Sequence, residues 1–238
     1  AKSLLTDTDL SVVDVAYSSG FGSLRRFNEV FRRRYRLTPT ALRSQARLRR
    51  TEGDAVHLSL GYRPPYRWDL MLTFLARRAI PGVEKVEEDR YARTIRLRSS
   101  RRDLTGWVTV GNDAEHNRLA VTVSASLLPA LPAVLDGIKN LFDLHCEPDT
   151  VARALTSMDE SALGPFIPGI RVPGCFDAFE TAVLAVLGQQ VTVQAARTLA
   201  GRLVRALGSP VDTGIDGLTM TFPMVQELLN LDGAIEQH

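Results

Sequence analysis

The 238 residues are enough for one large domain or two to three small ones, and 45% hydrophobic with 24% charged residues is ordinary for a soluble globular protein. No apolar run reaches the roughly 18 residues a membrane span needs, no secretory leader precedes the first amphipathic stretch, and Cys146 and Cys175 form no Cys-x-x-Cys pair, so the expectation is two free buried thiols in a reducing cytoplasm. The net charge of +2 hides an asymmetry: residues 1–50 hold eleven Lys and Arg against four Asp and Glu, a basic head of +7 on a body of −5.

Residues 1–50 read as helices. Ser11 suits an N-cap for a helix whose apolar face is Val12, Val15 and Ala16. Gly20 supplies a left-handed turn and Phe21 plugs the corner. A second helix opens at Gly22-Ser23 with Leu24, Phe27, Val30 and Phe31 inward and Arg25, Arg26, Asn28, Glu29 and Arg32 elsewhere. Pro39 starts a last short helix, which completes a helix-turn-helix pattern. Ten arginines lie from Arg25 to Arg50 against the single acid Glu29, so a nucleic-acid contact is expected here rather than a salt-bridged surface.

After a polar linker at 51–54 the period changes. Val56, Leu58 and Leu60 alternate as a strand, and Tyr66–Arg78 reads as a helix with Leu70, Phe74 and Leu75 apolar. Strands follow around Val83–Glu88, Tyr91–Arg98, Gly106–Val110 and Leu119–Ser124, then a helix over Leu131–Leu144. This is an α+β unit, one antiparallel sheet with helices on one face. From Pro148 the pattern is helical again, at about 148–157, 176–188, 191–207 and 223–230, with a Pro- and Gly-rich loop between the first two.

The corner between the two longest of these helices is Val183-Leu-Ala-Val-Leu-Gly-Gln-Gln-Val-Thr-Val-Gln194. Gly188 permits close backbone approach, and Gln189 and Gln190 sit where the chain turns. Paired amides at an exposed corner can enter a DNA groove and fill the gap left by an extruded base, or they can simply form a polar corner. Asp177 and Glu180 share one helical face, but capping and the helix dipole explain them, and no catalysis is assigned to them. His57, His116, His145 and His238 show no ligand spacing, so no metal and no cofactor are expected.

Two resemblances join these readings. Leu10-Ser-Val-Val-Asp-Val-Ala-Tyr-Ser-Ser-Gly-Phe-Gly-Ser-Leu-Arg-Arg-Phe-Asn28 and Leu37-Thr-Pro-Thr-Ala-Leu42 resemble the second half of an AraC-type DNA-binding domain. From about residue 57 onward the chain is similar to the 3-methyladenine DNA glycosylase II family of the helix-hairpin-helix superfamily. That likeness rests on Pro64-Pro-Tyr-Arg-Trp-Asp-Leu-Met-Leu-Thr-Phe-Leu75, Leu141-Phe-Asp-Leu-His-Cys146, Arg171-Val-Pro-Gly-Cys-Phe-Asp-Ala-Phe-Glu180 and Val186-Leu-Gly-Gln-Gln-Val-Thr192. The order of the two parts resembles bacterial adaptive-response fusion proteins. Those often carry an upstream zinc-bound, methyl-accepting cysteine domain, which this sequence does not include.

The resemblance implies a multidomain chain. An all-α helix-turn-helix head occupies 1–50, an α+β antiparallel-sheet domain 55–147, and the start of an all-α glycosylase-type domain 148–238. It implies excision of alkylated purines: the duplex bends, the cationic damaged base is extruded onto an aromatic pocket, and an Asp beyond the hairpin stabilises the sugar's positive charge. The nearest hairpin-like string, Leu231-Asp-Gly-Ala-Ile235, lacks the second glycine, and His238 precedes the expected hairpin and Asp. The domain is therefore expected to be truncated, with no catalytic residue present, and the 238 residues alone are expected not to excise bases.

By the same resemblance Gln190 takes the intercalating wedge position, with Gln189 and Thr192 as weaker minor-groove contacts and Thr192 equally an N-cap. Phe74 and Trp68 are candidates for the base pocket, with core packing as their other reading. In the head, Ser23, Arg25, Arg26, Asn28 and Arg32 are candidate DNA contacts. The expected partner is double-stranded DNA, alkylated or promoter, bound by a cytoplasmic monomer. Two other functions fit the layout: a transcription regulator using a glycosylase-like body without catalysis, and a small-molecule sensor linked to a helix-turn-helix.

Overall fold

The computed structural model describes residues 5, 11–35, 38–40, 55–98, 103–156 and 166–230. Leu4 and Leu10, the helix beyond Thr40 with Arg43, Arg47, Arg49 and Arg50, the linker 51–54 and the 231–235 string lie outside them. The chain divides into two compact units, Ala1–His57 and Leu58–His238.

In the first unit, α1 (Val12–Ser18) is held by a capping box: Asp14 N donates to Ser11 Oγ at 3.0 Å and Ser11 N to Asp14 Oδ2 at 3.2 Å. Such a cap is worth about 1 kcal/mol. Gly20 takes φ +81°, the left-handed turn expected of it. α2 (Leu24–Tyr35) then returns across α1, burying Phe27 and Phe31 against Leu5, Val15 and Ala16. Phe21 closes the corner edge-on to Phe27 at 5.1 Å. Val30 departs from its expected inward position and is 43% exposed. At 100° per residue it stands some 60° from Phe27, beyond the narrow stripe that two helices can cover.

The second unit is built on a five-stranded sheet in the order β1-β5-β4-β3-β2. The strands are β1 (Ala55–Gly61), β2 (Glu84–Glu87), β3 (Arg90–Leu97), β4 (Leu104–Asp113) and β5 (Arg118–Ser124), and β2 to β5 pair antiparallel. β4 is twice the expected length: Gly106 and Asn112 share the face of Val108 and Val110 but carry no apolar side chain, so alternation does not mark its two ends. A Cβ at Gly106 would stand 2.1 Å from Ser124 Oγ, so the close approach of the chain demands glycine. α3 (Trp68–Arg78) and α4 (Leu131–Leu141) pack on the sheet, with Met71, Leu75, Val134 and Ile138 meeting Tyr91, Ile95, Val108, Val110, Val121 and Val123. α4 stops three residues short of expectation, since Asp143 turns left-handed at φ 51°.

The expected apolar face of α3 is also corrected. Trp68, Met71, Leu72 and Leu75 are buried, Leu70 is half-buried, and Phe74 is 37% exposed. Apolar side chains run nearly all round this helix, so periodicity alone could not select its inward face.

The remaining helices are α5 (Pro148–Leu155), α6 (Ala178–Leu187), α7 (Val193–Leu207) and the short α8 (Val225–Leu229). A second core gathers Ala200 and Val204 of α7 with Ile80, Val83 and Phe222, flanked by Phe179, Val183 and Leu184. Helices on only one face of the sheet is too simple a description. Thr94 and Arg96 project from β3 to the opposite side from Tyr91 and Ile95. There Thr94 Oγ1 donates to Met220 O at 2.7 Å, and Arg96 pairs with Glu227 at 2.6 Å.

The motif strings quoted above meet in space. Arg67 N donates to Gly169 O at 2.8 Å, the buried Arg171 guanidinium donates to the carbonyls of Arg63 and Pro65, and Tyr66 Oη donates to Phe142 O at 2.9 Å. These residues join the sheet layer to the loop that leads into α6. Cys146 and Cys175 are free, but the fold buries each thiol-bearing residue only partly, where full burial was expected.

Candidate nucleic-acid interface

The α6–α7 corner is assembled by ordinary helix ends. Gly188 caps α6, its N–H donating to Leu184 O at 2.9 Å, and Thr192 caps α7, its hydroxyl accepting from Ala195 N at 3.2 Å. The strained residue between them is not the glycine. Gly188 is right-handed at φ −83°, whereas Gln190 is left-handed at φ 59°. An L residue held there costs about 1–2 kcal/mol, and such outliers cluster at functional sites. Gln189, Gln190, Val191 and Thr192 are all exposed, so the pair of carboxamides stands at the tip of the turn.

Beneath the corner lies a cavity of 410 Å³, walled by Phe74 and Phe176 and bounded by Leu184, Gly188, Val191 and Ala196. Phe74 therefore faces open space rather than the core. Arg78 Cζ stands 3.7 Å above its ring, a cation–π contact. Trp68 lies elsewhere. It is 7% exposed, donates from Nε1 to Asp89 O at 2.9 Å, stacks between Tyr66 and Phe142, and does not line the cavity.

The cavity floor holds a group of charges of which the sequence pattern singled out only Glu180. Arg93 is 3% exposed and pairs with Glu180 at 2.6 Å and with Glu84 at 3.8 Å, while Tyr91 Oη donates to Glu84. The Arg93 guanidinium also lies 4.3 Å from the Phe176 ring centroid. Burial pushes the Glu180 carboxyl above the ordinary range, opposed by Arg93 and aided by Glu84. Burial disfavours the Arg93 cation too, but Glu180, Tyr91 and Glu84 outweigh it and its pKa is raised. Capping thus explains Asp177, which accepts from Glu180 N at 2.8 Å, but not Glu180 itself. A signal was present. With Tyr91 and Ile95 inward, the period of two also points Arg93 inward, and a buried guanidinium requires a carboxylate.

In the first unit, Arg25, Asn28 and Arg32 fall on one exposed face of α2, with Arg26 flanking them. Ser23 is engaged locally, its hydroxyl accepting from Arg26 N at 3.3 Å at the start of the helix.

The AlkA N-terminal domain model matches residues 57–177, just over half of the chain. The chain belongs to the AlkA N-terminal domain family. A helix-turn-helix domain model matches residues 1–45. The chain is 36% identical over 237 residues to the "Probable bifunctional transcriptional activator/DNA repair enzyme AlkA" of Mycobacterium tuberculosis, covering 98% of this chain and 47% of that protein. It is 38% identical over 174 residues to "DNA-3-methyladenine glycosylase 2" of Escherichia coli, covering 73% of this chain and 58% of that protein. The chain thus spans about half the length of these relatives. Its fold is similar to that of a 3-methyladenine DNA-glycosylase from Archaeoglobus fulgidus, with TM-score 0.59 at 19% identity over 75% of this chain and 61% of the other.

Proposed function

We propose that the chain is part of a DNA repair glycosylase for alkylated purines of the 3-methyladenine type, joined to a DNA-binding regulator. On this reading it has three parts, a head over 1–50, an α+β domain over 55–147 and a helical domain from 148. The observation that carries it is the exposed, left-handed Gln190, set between Gly188 and Val191, which both line a cavity walled by Phe74. Gln190 enters the space vacated by an extruded base, with Gln189 beside it in the minor groove. The extruded cationic base reaches the cavity and stacks on Phe74, taking the place that the Arg78 guanidinium holds over the ring. Thr192 sets the first turn of α7 and so fixes where the two glutamines stand. The head, with Arg25, Arg26, Asn28 and Arg32 on one helix, grips a duplex independently. Both the helix-turn-helix match and the name of the mycobacterial relative favour a regulatory role for that part.

The test is release of 3-methyladenine and 7-methylguanine from alkylated duplex by the full-length parent protein, run beside its Phe74→Ala variant. Release that falls at least tenfold in the variant supports the reading. A parent that binds duplex and releases neither base replaces it with the regulator without catalysis.

A further inference from the structure

The cavity rim carries a positive charge that the base-flipping reading does not use. Arg197 of α7 lines the cavity, and its Nε donates to Ala79 O at 2.7 Å, which pins the guanidinium against the end of α3. Its two terminal nitrogens have no acceptor and no carboxylate among the described residues. Arg78, the residue before Ala79, lines the same rim and also lacks a carboxylate among the described residues; its contact to Phe74 O is long, at 3.5 Å. The acids of this cavity cannot neutralise either one, because Glu84 and Glu180 are both bound to Arg93 on the floor. Two guanidiniums thus line one cavity without a carboxylate partner among the described residues, one lying over the Phe74 ring and the other preorganised by its hydrogen bond to Ala79 O. A planar fork held in place is matched to phosphate oxygens.

We infer that Arg197, with Arg78 beside it, is a phosphodiester clamp for the strand whose base is extruded. This deepens the glycosylase reading and rests on it. Arg197 lies five residues beyond Thr192, about 7.5 Å along the axis of α7. A strand that presents a nucleotide at the glutamine turn therefore brings a neighbouring phosphate to the same rim. When a base displaces Arg78 from Phe74, the freed guanidinium becomes a second cation for the same phosphate.

The experiment uses the 238-residue chain and a short duplex containing an abasic-site analogue, with affinity measured across a salt series. Arg197→Gln is expected to make the log–log salt slope shallower by about 0.9, the value for one phosphate no longer neutralised. Arg202→Gln, an exposed arginine of the same helix that does not line the cavity, is expected to leave the slope unchanged. Equal slopes for wild type and Arg197→Gln, or an equal flattening in both variants, overturn the clamp while leaving the DNA reading in place. Absence of salt-dependent binding by the wild type overturns the DNA reading instead.

Tryptophan fluorescence checks folding. If Arg197→Gln unfolds, Arg197→Lys serves: it should keep the slope and bind several-fold more weakly, and wild-type affinity would show that no fork is needed. Inorganic phosphate at constant ionic strength separates a strand from a free anion. It should not displace the duplex, and displacement that depends on Arg197 would assign a site for free phosphate.

Discussion

Gln190 is the residue on which the interface reading turns, and its backbone makes the reading testable apart from its side chain. Gln190→Ala is expected to weaken binding to an abasic-analogue duplex at least fivefold while changing affinity for intact duplex by less than twofold, as a gap-filling side chain requires. Equal weakening on the two duplexes would make it a polar corner only. Gln190→Gly adds a second readout. It relieves a left-handed conformation worth about 1–2 kcal/mol, partly offset by the greater freedom of glycine in the unfolded chain. Its melting temperature should match or exceed the wild type, while its binding falls as in the alanine variant. A melting temperature well below wild type would show that the Gln190 side chain holds the turn together.

At the scale of elements, the buried Arg93 ties β3 to the start of α6 and so sets where the corner stands relative to the sheet. Two carboxylates serve one guanidinium, which makes the group asymmetric. Arg93→Met leaves two carboxylates buried without a cation and should destabilise the second unit by about 3–5 kcal/mol. Glu180→Gln leaves Arg93 with Glu84 and should cost much less. The raised pKa of Glu180 sets the sign of the pH dependence. Its folded carboxyl holds a proton more tightly than the unfolded one, so its stabilising contribution is present below the ordinary glutamate range and is lost as pH rises through the folded pKa. Wild type should therefore lose stability relative to Glu180→Gln as pH rises above the ordinary glutamate pKa of about 4.3. Urea unfolding followed by fluorescence reads this cleanly, because both tryptophans, Trp68 and Trp107, lie in the second unit. A gap that widens in the other direction would mean that Arg93 stabilises the Glu180 anion more than burial opposes it. In the head, α2 exposes Arg25 and Arg26 while Phe27 and Phe31 hold it in place. Arg25→Ala with Arg26→Ala should lower duplex affinity and flatten the salt slope by about 0.9 for each phosphate that these arginines neutralise. An unchanged slope would remove this helix from the DNA interface.

For the whole molecule, composition and periodicity were sufficient for the two described helices of the head, for where the strands lie and for most other helices, because amphipathic pattern and caps are local properties of neighbouring residues. Ser11, Gly20, Phe27 and Phe31 all take the places their spacing implies. The length of β4 was not legible, since Gly106 and Asn112 interrupt the apolar alternation near its ends and pairing with the neighbouring strands carries it further. Nor was the exposure of Phe74, which depends on which side of an evenly apolar helix meets the sheet. The Gln189–Gln190 corner is visible in the sequence through its helix ends, but its left-handed residue is Gln190 and not the glycine two positions earlier, because the strain follows from how α6 and α7 pack. The cavity, the Arg93–Glu180 pair and the Arg197 contact to Ala79 join residues 87 and 118 positions apart. Local sequence determines which segments are helix or strand and which faces are apolar. Burial of charge and the shape of a cavity are sums over distant segments, and only the tertiary structure decides them.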